Sequence, residues 1–562
     1  MEDGTNLSNS NLKTFDNFYA DLAQSAYNGR PNAFPRYNNA VNWKLIDYSQ
    51  HINYAGENTP GGKHLPHNGR VYLQPDPELR DTYKVTSIPV PDANGMRQDI
   101  HHKRYQKGLL TDDEAGFSAY YLTDTPTLTN DTKKTYMAIR GSDAISKENW
   151  NDWVDNDAKF ALNHIHTPQA KLATVGMKTK IAEMTEKAPQ ATMDITGHSL
   201  GTIVSAQGVA GLSDEELEKI GKVVLFDGPD TTKSLKKMGL SDEKIKKISE
   251  KIEYYVNPFD IVGMLNREHT ITKLPGDSDE PLKKPVGKVN VLVPLHYTQI
   301  TDPESSHDFG VFQSDGKGNL LTASEDFHPE LLRAGEKLAR LIATTLGVLR
   351  TLGVDENAAS NILNAIMRGE IVNKAVIGYA FYENFKTEYG KIVEEARKES
   401  IKWDREAIPR YQEQLRNGNL TGEKRILVRA QLLQTAAQLA NFDMEDKVKY
   451  VKTLLSDAKE DIQNIVKETR STAFDMVGYL SSSEVTNLLS GFDTTSFWDE
   501  GLASDTKTAA TSFLTQIEQL GESLVKASGS FETIDTDSAE DFNNLLADVK
   551  QTWRGKNVSP NG

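Results

Sequence analysis

Cysteine is absent from this 562-residue chain. Disulfides, thiolate metal sites and a cysteine nucleophile are thereby excluded. Long apolar runs are missing too, and nothing approaches the roughly 18 apolar residues of a membrane-spanning helix. The opening segment, MEDGTNLSNSNLKTF, lacks a basic stretch leading into an apolar one. A cleavable signal peptide is therefore not expected, and export would need some other signal. Basic charge is also in short supply. A net charge of −16 disfavours nucleic-acid partners, which demand a basic surface. Metal ligands at useful spacing are wanting as well. His101-His102 and the pair His164 and His166 stand without further ligands at convincing positions, so they read as surface histidines. No metal or cofactor is expected.

What is present divides into two styles. The chain exceeds the roughly 250–300 residues at which single cores stop growing, so more than one domain is expected. Residues 1–330 hold all twelve histidines and nearly all the strand-like runs. These runs are 117–122, 135–140, 191–196, 222–227, 252–256 and 289–293, with helical stretches such as 168–187 and 202–220 between them. Strands alternating with helices predict a mainly parallel sheet. After residue 330 strand signals nearly vanish. Residues 331–553 read as an all-α domain of long antiparallel helices, and 554–562 as a disordered tail. Phe513, Ile517, Leu520 and Leu524 fall on one helical stripe. The Met and aromatic residues of these helices read as core.

The strongest signal is Gly197-His198-Ser199-Leu200-Gly201, after a strand-like run and before a helix-like one. A strand-to-helix turn this tight needs small residues two positions either side of the serine. The serine hydroxyl is then held clear of the sheet, and the Leu200 amide can face a developing oxyanion. In such a fold the acid and then the base follow along the chain. Asp260, at the end of IEYYVNPFD, is the leading acid, and Asp227, ending KVVLFD, is its rival. The base is to be found among His307, His296 and His328, with His307 preferred for its polar loop, SSHDFGVF. The turn Arg140-Gly141-Ser142 after an earlier strand offers the Ser142 amide as a second oxyanion donor. Trp150, Asn151, Asp152 and Trp153 then fix that loop or begin a cap.

Together, AIRGS, NDW, ITGHSLGT, VNPFDIV and a late loop histidine resemble the class 3 lipases. The N-terminal LAQSAYNG (22–29) also looks like that family's opening helix. The resemblance spans roughly 15–310. It implies Ser199 as nucleophile, Asp260 and His307 as its acid and base, and Ser142 with Leu200 as the oxyanion hole. The stretch 30–115 departs from the family's compact start.

A second resemblance lies in SFWDEGLASDTKTAATSFLTQIEQL (496–520), which is similar to the Trp-x-Gly and Leu-x-Gly helical proteins of type VII secretion. Its Trp498-Asp-Glu-Gly501 is one residue longer than Trp-x-Gly. A lipase-like domain ahead of such helices resembles the type VII-secreted lipase toxins of Gram-positive bacteria. That resemblance implies export without a signal peptide, small helical partner proteins, an immunity protein and action on membrane lipids. The expectation is a secreted serine lipase or phospholipase. The alternatives are a hydrolase of a non-lipid ester or thioester, and a helical binding protein with a vestigial hydrolase domain.

Overall fold

The computed structural model describes residues 16–28, 30, 33–35, 42–48, 68–92, 95–141, 167–294, 297, 306–309, 312–313, 318–353, 376–417, 420 and 422–530. Ser142, Trp150, Asn151, Asp152, Trp153, His164, His166, His296 and the tail 554–562 lie outside them. The chain divides into two compact units, 1–403 and 404–562.

The first unit is built on one eleven-stranded sheet. Its centre is five parallel strands: β7 (Lys134–Ile139), β8 (Thr192–His198), β9 (Ile220–Phe226), β10 (Ile252–Val256) and β11 (Lys288–Val291). They lie side by side in chain order. On the other flank of β7 the pairing turns antiparallel, through β6 (Phe117–Thr123) and β5 (Thr111–Asp112) to a long hairpin. That hairpin pairs β3 (Arg80–Asp92) with β4 (Gly95–Lys107) over thirteen residues each. Strand β2 (Arg70–Leu73) joins β6, and β1 (Lys44–Asp47) joins β2. The five parallel strands were readable as apolar runs. The four strands between 44 and 107 were not: β1 and β2 are only four residues long, and β4 is mostly polar.

Parallel strands are buried on both faces, so both faces of each must be largely apolar. β7 shows the consequence. Tyr136 and Ala138 enter one core, while Met137 and Ile139 enter the other. Period-2 alternation thus feeds two layers from one strand. One layer holds helix α1 (Asp16–Ser25), through Phe18, Tyr19 and Leu22. The other holds α2 (Pro168–Lys187) and α3 (Leu200–Ala210). Every residue of α3 is buried, which accounts for its small and apolar residues and for the absence of charge. Short helices α4 (Asp214–Glu218), α5 (Thr232–Lys237) and α6 (Asp242–Ser249) complete the crossovers.

The compact division falls near 403 rather than at 330. Helix α7 (Pro329–Thr351) carries Leu331, Leu338 and Ile342 into the core shared with α2 and α3. The first half of α8 (Val376–Arg416) adds Phe385, Tyr389 and Val393 to the same core. Tyr389 also donates to the Phe259 carbonyl over 2.7 Å. Helical periodicity announces these helices, but only burial assigns them to the sheet.

In the second unit α9 (Gly422–Met476) and α11 (Glu500–Ser530) run antiparallel. Ala437 meets Gly521, and Lys459 pairs with Glu500, so the chain directions oppose. Between them lie α10 (Ser482–Leu488) and a 3-10 turn at Thr494–Ser496. Arg470 of α9 donates to the carbonyls of Leu489 and Phe492 and holds that connection. The expected core stripe needs correcting. Phe513 is 50% and Leu520 47% exposed, and Tyr450, Phe474 and Met476 also face outward. Two paired helices cover only one strip of each other, which leaves the remaining apolar residues at the surface.

Candidate active site

Ser199 sits between β8 and α3 with φ 57° and ψ −129°. An L-residue rarely takes that conformation, and its cost is held by the surrounding turn. The flanking glycines explain how. A Cβ on Gly197 would stand 2.7 Å from the Gly201 carbonyl oxygen. A Cβ on Gly201 would press on the backbone of Ile139 and Arg140 at the end of β7. The turn is therefore pinned against the neighbouring strand at a spacing only glycine permits. Ser199 is 3% exposed.

The hydroxyl of Ser199 lies 2.9 Å from His307 Nε2, and His307 Nδ1 lies 3.0 Å from Asp260 Oδ2. Nδ1–H donates to the carboxylate, which leaves Nε2 to accept from the serine. Asp260 stands in the turn after β10. Its Oδ1 accepts from the Val262 amide at 3.0 Å and its Oδ2 from the Gly263 amide at 2.7 Å. Burial lowers the His307 pKa, but the charge and hydrogen bond of Asp260 outweigh it, and the net direction is upward.

The short turn bearing His307 is held from several sides. Asn257 Nδ2 donates to the Ser306 carbonyl over 2.8 Å. Arg30 forms a two-pronged ion pair with Asp308, at 3.1 and 2.9 Å. His198 Nε2 donates to the His307 carbonyl over 2.7 Å. With Nε2 protonated, His198 Nδ1 accepts from the Tyr27 hydroxyl at 2.9 Å. Burial, then the nearby His307, hold the His198 pKa well below the ordinary histidine value, so its ring is neutral. Phe309 packs on the same ring, with centroids 4.5 Å apart.

Of the residues singled out by sequence, the described ones can be placed. Ser199, Asp260 and His307 form one buried line. Leu200 is the first residue of α3, where a helix leaves its amides unsatisfied. Gly141 backs onto the nucleophile, since a Cβ there would lie 3.3 Å from Ser199 Cβ. Ser142, the next residue in the chain, lies outside the described residues, and so does His296. His328 is elsewhere: it bonds Glu330 at 2.7 Å and packs on Trp403. Asp227 is buried near the acid but does not bond His307; its Oδ1 accepts from the Asn257 amide at 2.7 Å.

Sequence reasoning missed His198, Tyr27, Arg30, Asn257 and Arg267 as parts of this site. His198 had a signal, lying inside the serine motif. Arg267 had none. Its guanidinium is fully buried and donates to the Gly263 carbonyl at 2.7 Å and the Gly228 carbonyl at 2.8 Å, over the Tyr254 ring. It thereby ties the turn after β9 to the acid turn. Among the described residues no group of three or more His, Asp or Glu is arranged to hold a metal ion.

Such an arrangement can do acyl transfer. The imidazole takes the serine proton, the carboxylate steadies the resulting cation, and amides at the elbow face the oxyanion.

Residues 124–270 match the Cutinase family model. The match runs from the end of β6 past the acid turn, covering Ser199 and Asp260 and stopping short of His307. The matched family is one of serine carboxylic-ester hydrolases, and the match supports an α/β-hydrolase-type domain, here with five parallel strands at the centre of its sheet and a helical C-terminal region. No curated protein and no solved structure matches the chain.

Proposed function

We propose that this protein is a lipase or phospholipase-type serine hydrolase that acts on membrane lipids. The observation that carries the reading is the buried hydrogen-bonded line from Ser199 through His307 to Asp260. His307 removes the Ser199 proton, and Asp260 orients the ring and stabilises its charge. The alkoxide attacks the ester carbonyl, while the Leu200 and Ser142 amides bind the oxyanion. The alcohol leaves with the proton from His307, and water then frees the acid from the acyl-enzyme. No metal or cofactor is needed.

The lipid preference is supported by two features. The finer likeness, to class 3 lipases, rests on AIRGS, ITGHSLGT and VNPFDIV. The serine itself is also buried rather than open to solvent.

The biological setting is proposed on the C-terminal helices alone. Their likeness to Leu-x-Gly proteins supports export by a type VII-like route, small helical partners, a role as an antibacterial toxin and an immunity protein in the producer. The exposed apolar residues of α11 suit a helical partner. Among the described residues no helix is long and apolar enough to cross a membrane.

The test compares wild type with Ser199→Ala on vesicles of defined phospholipids and on emulsified glycerides, reading released fatty acid by mass spectrometry. Release by wild type and none by the variant is expected. Absence of release from every lipid, with turnover of short soluble esters intact, would move the substrate to a non-lipid ester. Absence of both would leave the helical binding role.

A further inference from the structure

Asp227 is a carboxyl that the reaction above leaves unused. It is the first residue past β9, one strand over from the turn of Asp260. Its φ is 47°, in the left-handed region that L-residues avoid. Its side chain is fully buried. Oδ1 has its bond from Asn257, but Oδ2 has no hydrogen-bond partner. A strained backbone, a buried acid and an orphaned oxygen each cost stability, and such features gather at working sites.

Its position says which work. The point where a Cβ on Gly263 would stand is 2.8 Å from Asp260 Oδ2 and 3.5 Å from Asp227 Oδ1. The two carboxyls thus crowd one spot behind the imidazole. Asn257, whose amide Asp227 holds, has its own carbonyl bonded by the Asp260 amide at 3.0 Å. Asn257 also grips the Ser306 carbonyl beside His307. One residue therefore links Asp227 to both the acid turn and the base turn. The charged groups acting on Asp227 are Asp260 and Asp308 on the negative side, with His307 and Arg267 on the positive.

We infer that Asp227 is a second acidic positioning residue, which with Asp260 forms a two-carboxyl end supporting the charged form of His307. The inference rests on Ser199 and His307 acting as proposed. Burial, then the charge of Asp260, push the Asp227 carboxyl well above its usual range, while a charged His307 pulls it back. In turn Asp227 adds to the upward pull on His307.

The experiment is a histidine-selective NMR titration of the full chain, with His307 assigned by its loss in His307→Gln. Asp227→Asn keeps the shape and tolerates the left-handed backbone, and Asp227→Gly removes the carboxyl while relaxing it. In both variants the His307 midpoint should fall by about 0.5–1 pH unit. On a soluble ester, Asp260→Asn should stay about tenfold faster than Asp260→Asn with Asp227→Asn, one pK unit of charge support. An unchanged His307 midpoint in either variant overturns the inference, as does a double variant no slower than Asp260→Asn. If wild type cleaves no ester, the proposed function fails on that result, and the titration still decides the role of Asp227.

Discussion

His198 Nε2 donates to the backbone carbonyl of His307 over 2.7 Å, across 109 positions of chain. The residue before the nucleophile therefore sets the height of the base. The two rings stand 4.8 Å apart, centroid to centroid. No part of this contact depends on substrate, so it preorganises the pair before any ester arrives.

Replacing His198 by Phe keeps the packing on Phe309 and removes both ring hydrogen bonds. The His307 carbonyl then loses its bond from the residue before the nucleophile. We expect kcat to fall by about 10- to 100-fold with KM little changed, the size of effect that a small misplacement produces. Steady-state kinetics on a soluble ester checks this, and a wild-type kcat would refute it.

The raised pKa of His307 fixes the acid limb of the rate profile. A general base must be unprotonated, so activity is lost as pH falls through that pKa. With Asp260 holding the imidazolium, the midpoint of kcat/KM lies above the ordinary histidine value of 6.5. In Asp260→Asn the limb should move toward lower pH as the maximal rate drops. A profile over pH 5–9 with buffer ionic strength held constant measures it.

Arg30 and Asp308 clamp the base turn to the N-terminal segment. Their side chains are 18% and 22% exposed, so solvent screens the pair only in part. Arg30→Met should cost about 1 kcal/mol in urea unfolding, within the range for two-pronged pairs near the surface. Turnover should fall more than this stability loss implies, because the turn carries His307. Equal, small effects on both would mean the clamp serves folding alone.

Arg267 is a buried cation bonded to two backbone carbonyls beside three buried acids, Asp227, Asp230 and Asp260. Its charge acts on all three. Arg267→Leu strips that support and orphans both carbonyls. A loss of about 3–5 kcal/mol is expected, as when one partner of a buried charged set is removed. Chemical denaturation of the full chain, followed by tryptophan fluorescence, reads it. A loss below about 1 kcal/mol would show that the acids carry no charge there.

The amino-acid sequence alone determined what is local in this protein. Gly197 and Gly201 mark the serine turn because the backbones they touch are a few residues away or on the next strand, and no side chain fits there. The five parallel strands were legible because burial on both faces favours short runs rich in apolar residues. Tertiary structure decided whatever depends on closure over distance. Asp227 and Asp260 both follow strand ends, and only the path of the chain puts Asp260 at 3.0 Å from an imidazole 47 positions on. His307 and His328 were both open candidates, until one turn closed on Ser199 and the other histidine was taken by Glu330. The helices after 330 carry the same kind of amphipathic pattern, yet α7 and the start of α8 are core of the sheet, while α11 shows Phe513 and Leu520 to solvent. A periodic pattern states that a helix has an apolar side. What covers that side is set by the rest of the chain.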